Sequence, residues 1–82
     1  MPESTSTINE LYVFVNRILI ERGRTPIQQL ELSMSLRRDL AFESLDLAAL
    51  TVLVEDRFNV DIFEDGVVDT VDEILDRIHH TS

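Results

Sequence analysis

Cysteine, tryptophan and lysine are absent from this 82-residue chain, and glycine and proline occur twice each. Without cysteine there can be no disulfide, no thiolate metal site and no cysteine nucleophile. Such a chain folds without staples, and a domain of this size buries only about 60% of the surface its unfolded chain exposes. No apolar run approaches the roughly 18 residues that span a bilayer. The opening segment MPESTST has no basic region, so a signal peptide is not expected. These absences predict one small soluble, cytoplasmic domain over residues 1–82, with 1–6 disordered and 80–82 a frayed tail. No membrane partner is expected.

With lysine missing, every cation is one of seven arginines, against 16 acids, for a net charge of −9. The imbalance is local. Residues 1–42 carry five acids and five arginines, whereas residues 43–82 carry eleven acids and two arginines. A surface of that sign repels phosphate backbones, which excludes nucleic acid as the expected partner. It is drawn instead to basic protein surfaces, although acidity also simply keeps a small domain in solution.

Three segments have helical periodicity. In the first, about Ile8 to Arg22, Ile8, Leu11, Tyr12, Val15, Ile18 and Leu19 share a face. Thr7 and Glu10 have capping-box spacing at its start, and Arg22, Gly23, Arg24 and Pro26 read as a stop signal. The second runs from about Leu45 to Phe58. The third runs from about Val71 to His79, with Thr70 and Glu73 again spaced as a capping box. A short helical turn is expected near Phe63–Val68, interrupted by Gly66. The roughly 20 residues between the first two helices hold Ile27, Leu30, Leu32, Met34, Leu36, Leu40 and Phe42, too apolar for a disordered linker. LELSMSL alternates like a strand but has no obvious partner. The reading is an all-α, small four-helix bundle of three long helices and one short one, with a long first loop.

The second helix has two apolar stripes. Leu47, Leu50, Thr51, Val54 and Phe58 gather on one side; Leu45, Ala48, Ala49 and Val52 gather nearly opposite, with Leu53 at their edge. Either the helix is buried on both sides, or one stripe enters the core and the other meets a partner. Ser44 stands where the helix begins. Serine is a favoured N-cap, and the same place suits a phosphate ester, because a helix start offers free N–H groups and the positive end of the dipole. Glu43 and Asp46 would flank such a phosphate with like charge.

From Leu36 to Asp65, LRRDLAFESLDLAALTVLVEDRFNVDIFED resembles the acyl carrier protein family. The likeness lies in Asp39-Leu40, an acid before the serine, Ser44-Leu45-Asp46, a helix ending in Glu55-Asp56-Arg57-Phe58, and Ile62. The outer helices fit the same plan. The resemblance implies that Ser44 carries 4'-phosphopantetheine from coenzyme A as a phosphodiester, its thiol holding acyl groups as thioesters. It implies a non-catalytic, monomeric carrier of fatty-acid, polyketide or other specialised biosynthesis. Its partners would be a phosphopantetheinyl transferase and acyl-loading and acyl-processing enzymes with basic docking surfaces. Glu43, Leu45, Asp46, Ala48, Val52, Glu55 and Asp56 would face those partners, and an acyl chain would fold in among Leu50, Val54, Phe58 and Ile74. An aminoacyl or peptidyl cargo is the alternative, and an unmodified binding adaptor the second.

The sequence departs from the family pattern in four places. Glu43 stands where aspartate is commonest, Ala49 occupies an often acidic place, and Arg37 and Arg38 make the loop basic. Ala41 replaces a frequent glycine, and is expected to avoid the positive φ that glycine tolerates. Two other signals are set aside. Asp61 to Asp72 follows a calcium-loop register only at Asp61, Asp65 and Gly66, with Phe63 at the third position. His79-His80 has no third ligand nearby. No metal is expected.

Overall fold

The computed structural model describes residues 3–64, 66 and 68–81, with side chains over 7–64, 66 and 68–79. Three helices are present among them: α1 (Glu3–Glu21), α2 (Ser44–Phe58) and α3 (Val71–Thr81). The fold is all-α, as the periodicity predicts. Helix α1 starts earlier than expected, so Thr7 lies inside it, buried, and is not the cap that its spacing with Glu10 suggests. That start also falls within the segment 1–6 expected to be disordered, of which Met1 and Pro2 lie outside the described residues. Helix α3 continues to Thr81, into the expected tail; Ser82 lies outside the described residues.

The C-terminus of α1 shows why its sequence stops there. The Gly23 N–H donates to the Ile20 carbonyl at 3.0 Å and the Arg24 N–H to the Leu19 carbonyl at 2.8 Å. This is the two-bond Schellman ending, and it requires the left-handed conformation that Gly23 adopts at φ 74°. Helix α2 stops similarly at Asn59, at φ 59°, whose N–H donates to the Glu55 carbonyl.

The core joins Leu11, Val15, Ile18 and Leu19 of α1, Leu47, Leu50 and Val54 of α2, and Val71, Ile74, Leu75 and Ile78 of α3. The long loop completes it with Leu36, Leu40 and Phe42, whereas Leu32 stays exposed. A side chain of α1 ties the start of this loop in place through its backbone. Asn16 Oδ1 accepts the Ile27 N–H at 2.8 Å, while its amide donates to the Ile27 carbonyl at 3.0 Å.

LELSMSL finds a partner after all, in the residues entering α3. Leu36 N–H donates to the Asp69 carbonyl at 2.7 Å and Val71 N–H to the Met34 carbonyl at 3.0 Å, around a single antiparallel bridge between Ser35 and Thr70. No strand forms among the described residues; the alternation is spent on one bridge. The expected turn near Phe63–Val68 is not a helix in its described part. Residues 62–64 form a turn, begun by Asp61 Oδ1 accepting the Phe63 N–H at 3.0 Å; Asp65 and Val67 lie outside the described residues.

The junction is fastened by two carboxylates. Asp69 accepts the Ser35 hydroxyl at 2.6 Å, and this bond holds its carboxyl below its ordinary value of 3.8. Glu73 closes the capping box predicted with Thr70: its carboxylate accepts the Thr70 and Asp69 N–H groups, which lower its pKa in turn. A carboxylate of depressed pKa stabilises the fold above its unfolded value, and that contribution is lost as pH falls through the folded value. Asp69→Asn should therefore be less stable than the parent at neutral pH, with the gap closing below pH 3.8. Urea midpoints measured from neutral pH into the acid range check this; a gap that persists at the acid end contradicts it.

Candidate functional site

The site is built around the start of α2, and Ser44 is not its cap. Glu43 is, in extended backbone at φ −99° and ψ 176°. Asp46 Oδ2 accepts the Glu43 N–H at 2.8 Å, and the Glu43 side chain faces the backbone N–H of Asp46, closing a capping box. The expectation that Ser44 caps fails because an acid one residue earlier has the box spacing and a partner three residues on. Ser44 instead occupies the first helical position, exposed, and its hydroxyl makes no hydrogen bond among the described residues. Capping does not occupy its oxygen.

The two apolar stripes of α2 part as the second of the two readings requires. Leu47, Leu50 and Val54 are buried, while Leu45 and Val52 are 64% and 63% exposed and Ala48 and Ala49 also face solvent. Ser44, Ala48 and Val52 are four residues apart, so the hydroxyl stands at the head of the exposed stripe. With Ile18, Glu21, Arg22 and Asp46, this stripe lines a shallow groove of about 290 Å³ between α2 and the end of α1. Glu43 before the stripe and Glu55 and Asp56 after it in sequence form a rim of exposed acids.

Asp46 does not belong to that rim. It is only 2% exposed, and its Oδ1 lies 3.1 Å from Arg22 Nε. Its carboxylate serves the helix start on one oxygen and faces Arg22, the residue after α1, with the other. Of the two acids flanking Ser44, one is thus already neutralised by a cation, which removes part of the repulsion expected toward a phosphate.

Ala41 reverses another expectation. It adopts φ 54°, in the left-handed region, although it has a Cβ. Such a residue is strained by about 1–3 kcal/mol unless its surroundings hold it. Here Arg24 does so: its guanidinium donates to the Leu40 carbonyl at 2.5 Å and the Ala41 carbonyl at 3.2 Å. Neither Arg22 nor Arg24 was legible as a site residue. Their spacing signals only a helix end, and their targets lie 16 to 24 residues away along the chain.

The acyl-pocket candidates meet in space. Leu50, Val54 and Ile74 are fully buried in the one core, and Phe58 is half-buried against it, edge-on to Phe14 with ring centres 6.5 Å apart. Arg57 covers the Phe58 ring and pairs with Glu10.

The arrangement offers an exposed, unengaged hydroxyl at a helix start whose Ser44 and Leu45 N–H groups the capping box leaves open, with an apolar strip running away from it. Those features fit a phosphate ester on Ser44. No family model matches the chain. It is 32% identical over 63 residues to acyl carrier protein 3 of Ralstonia nicotianae, covering 74% of this chain and 72% of that one.

Proposed function

Because the chain belongs to the acyl carrier protein family, we propose that it is a free-standing carrier holding acyl groups as thioesters on a 4'-phosphopantetheine arm attached to Ser44. The observation that carries this reading is the Ser44 hydroxyl, exposed and unengaged at the first turn of α2. The arm supplies a terminal thiol on which acyl groups travel. The chain's own residues do three things. Ser44 Oγ would attack the pantetheine-bearing phosphorus of coenzyme A, forming a new P–O ester as that phosphorus loses its anhydride oxygen; adenosine 3',5'-bisphosphate would leave, and the hydroxyl proton would pass to the transferase. Leu45, Ala48 and Val52 give a partner an apolar strip, while Glu43, Glu55 and Asp56 orient it by charge. Leu50, Val54, Phe58 and Ile74 form the apolar wall along which an acyl chain would insert.

Weak docking suits such a role, since a carrier must leave each enzyme it visits. The test is incubation with coenzyme A and a promiscuous phosphopantetheinyl transferase. Transfer adds about 340 Da, including one phosphate ester. Intact mass should show this gain in the parent and none in Ser44→Ala. A parent that gains nothing with several transferases sinks the proposal and favours an unmodified adaptor.

A further inference from the structure

The geometry points to Arg24 as a positioning residue for Ser44: its guanidinium holds the left-handed turn at Ala41 and so fixes how the serine is presented. The inference rests on Ser44 being the attachment residue. Its structural half stands on bonds independent of that reading.

The Schellman ending of α1 fixes where Arg24 starts, because its own N–H is bonded to the Leu19 carbonyl at 2.8 Å. From there the half-buried side chain crosses to the loop and spans two successive carbonyls, Leu40 and Ala41, with separate nitrogens. A planar guanidinium can make such a fork; an ammonium cannot reproduce its geometry. The two carbonyls belong to the peptides entering and leaving the strained residue, so the fork spans Ala41 itself. Three residues later comes Ser44. Phe42, between them, is anchored on the core side by its N–H donating to the Leu36 carbonyl at 2.8 Å. Downstream of the serine, the Arg22–Asp46 pair holds the capping box, with Asp46 accepting the Glu43 N–H at 2.8 Å.

The segment from Leu40 to Asp46 is therefore gripped on both sides of Ser44 by arginines flanking one glycine, Gly23. Only the upstream grip acts on a backbone conformation that alanine disfavours. Arg24 thus does work at Ala41 that glycine would make unnecessary. Without it, the turn relaxes toward negative φ and the hydroxyl samples other directions, which lowers the fraction of encounters in attacking geometry. The docking strip on α2 is untouched, so partner affinity should not change.

The experiment compares the parent with Arg24→Ala, Arg24→Ala/Ala41→Gly and Arg17→Ala. Arg17 is an exposed arginine of α1, paired with Glu21 at 3.5 Å, and controls for loss of one cation. Arg24→Ala should lower kcat/KM for arm transfer about tenfold, through kcat and not KM. Amide exchange at Phe42 and Glu43 should quicken about tenfold, while Ile74 and Ile78 in α3 stay protected. Ala41→Gly added to Arg24→Ala should recover most of the transfer rate, and Arg17→Ala should match the parent. An unchanged kcat/KM in Arg24→Ala overturns the proposal. So does exchange that rises equally across α3, which would mark a general stabiliser, or a failure of Ala41→Gly to rescue. If the parent accepts no arm at all, the carrier reading has failed, and exchange in the unmodified protein still decides the role of Arg24.

Discussion

Leu50→Ala destabilises the domain by about 3 kcal/mol, whereas Val52→Ala, two residues along the same helix, changes stability by less than about 0.5 kcal/mol. Leu50 is completely buried in the single core shared by the helices and the long loop, so truncation leaves a void that the surrounding side chains fill only in part. Val52 is 63% exposed, so its truncation removes little buried surface and slightly improves helix propensity. A chain this size has about 5–10 kcal/mol of stability in all, so the loss at Leu50 removes roughly 30–60% of it. Each kcal/mol shifts Tm by about 4–8 °C in small domains, so the Leu50 variant should melt about 15 °C below the parent. Thermal and urea unfolding of both variants check this. Comparable losses at the two positions would mean that α2 is buried on both sides.

The second large effect separates two kinds of acid that the sequence groups together. Asp46→Ala lowers stability by about 2–3 kcal/mol, because it removes the capping partner of Glu43 and leaves Arg22 facing an empty place. The loss stays below that of a fully buried pair because the Arg22 side chain is 39% exposed and can turn to water. Glu55→Arg/Asp56→Arg acts oppositely. Both positions are exposed, so stability barely changes, while association with a basic transferase slows by about tenfold at low salt and much less at high salt. Urea unfolding and stopped-flow binding at two ionic strengths read the two halves. If Asp46→Ala keeps its stability and slows association as the other pair does, then Asp46 is a docking acid despite its burial.

Much of the molecule is legible in the order of its residues. The stripes of α1 and α3, the stop at Gly23, the Thr70–Glu73 box and the opposed faces of α2 all rest on local periodicity or local capping chemistry. That information lies within about one helical turn. What escaped depends on remote partners. The bridge between Ser35 and Thr70 joins residues far apart in sequence, and the alternation of LELSMSL cannot say which segment it meets. Ala41 holds a positive φ beside a contact from Arg24, which reaches it from beyond the end of α1. Asp46 looks like one more acid on an acidic helix until Arg22 is seen against it. The misplaced cap at Ser44 has a different origin. Serine is the favoured residue there, but Glu43 and Asp46 form the reciprocal box, and two complementary contacts outweigh one residue preference.

The exposed strip of Leu45, Ala48, Ala49 and Val52 also bears on why the chain is so acidic. If this face is the docking strip proposed above, it must stay open between encounters, and apolar strips on separate molecules attract one another. The second half of the chain, which contains the strip, also supplies the whole net charge of −9. Mutual repulsion between copies is then the colloidal counterpart of the open strip: like molecules are kept apart at the long range where charge acts, and a basic enzyme surface is admitted to the short range where apolar contact begins. On the carrier role proposed above, one charge distribution would both oppose self-association and favour a basic partner.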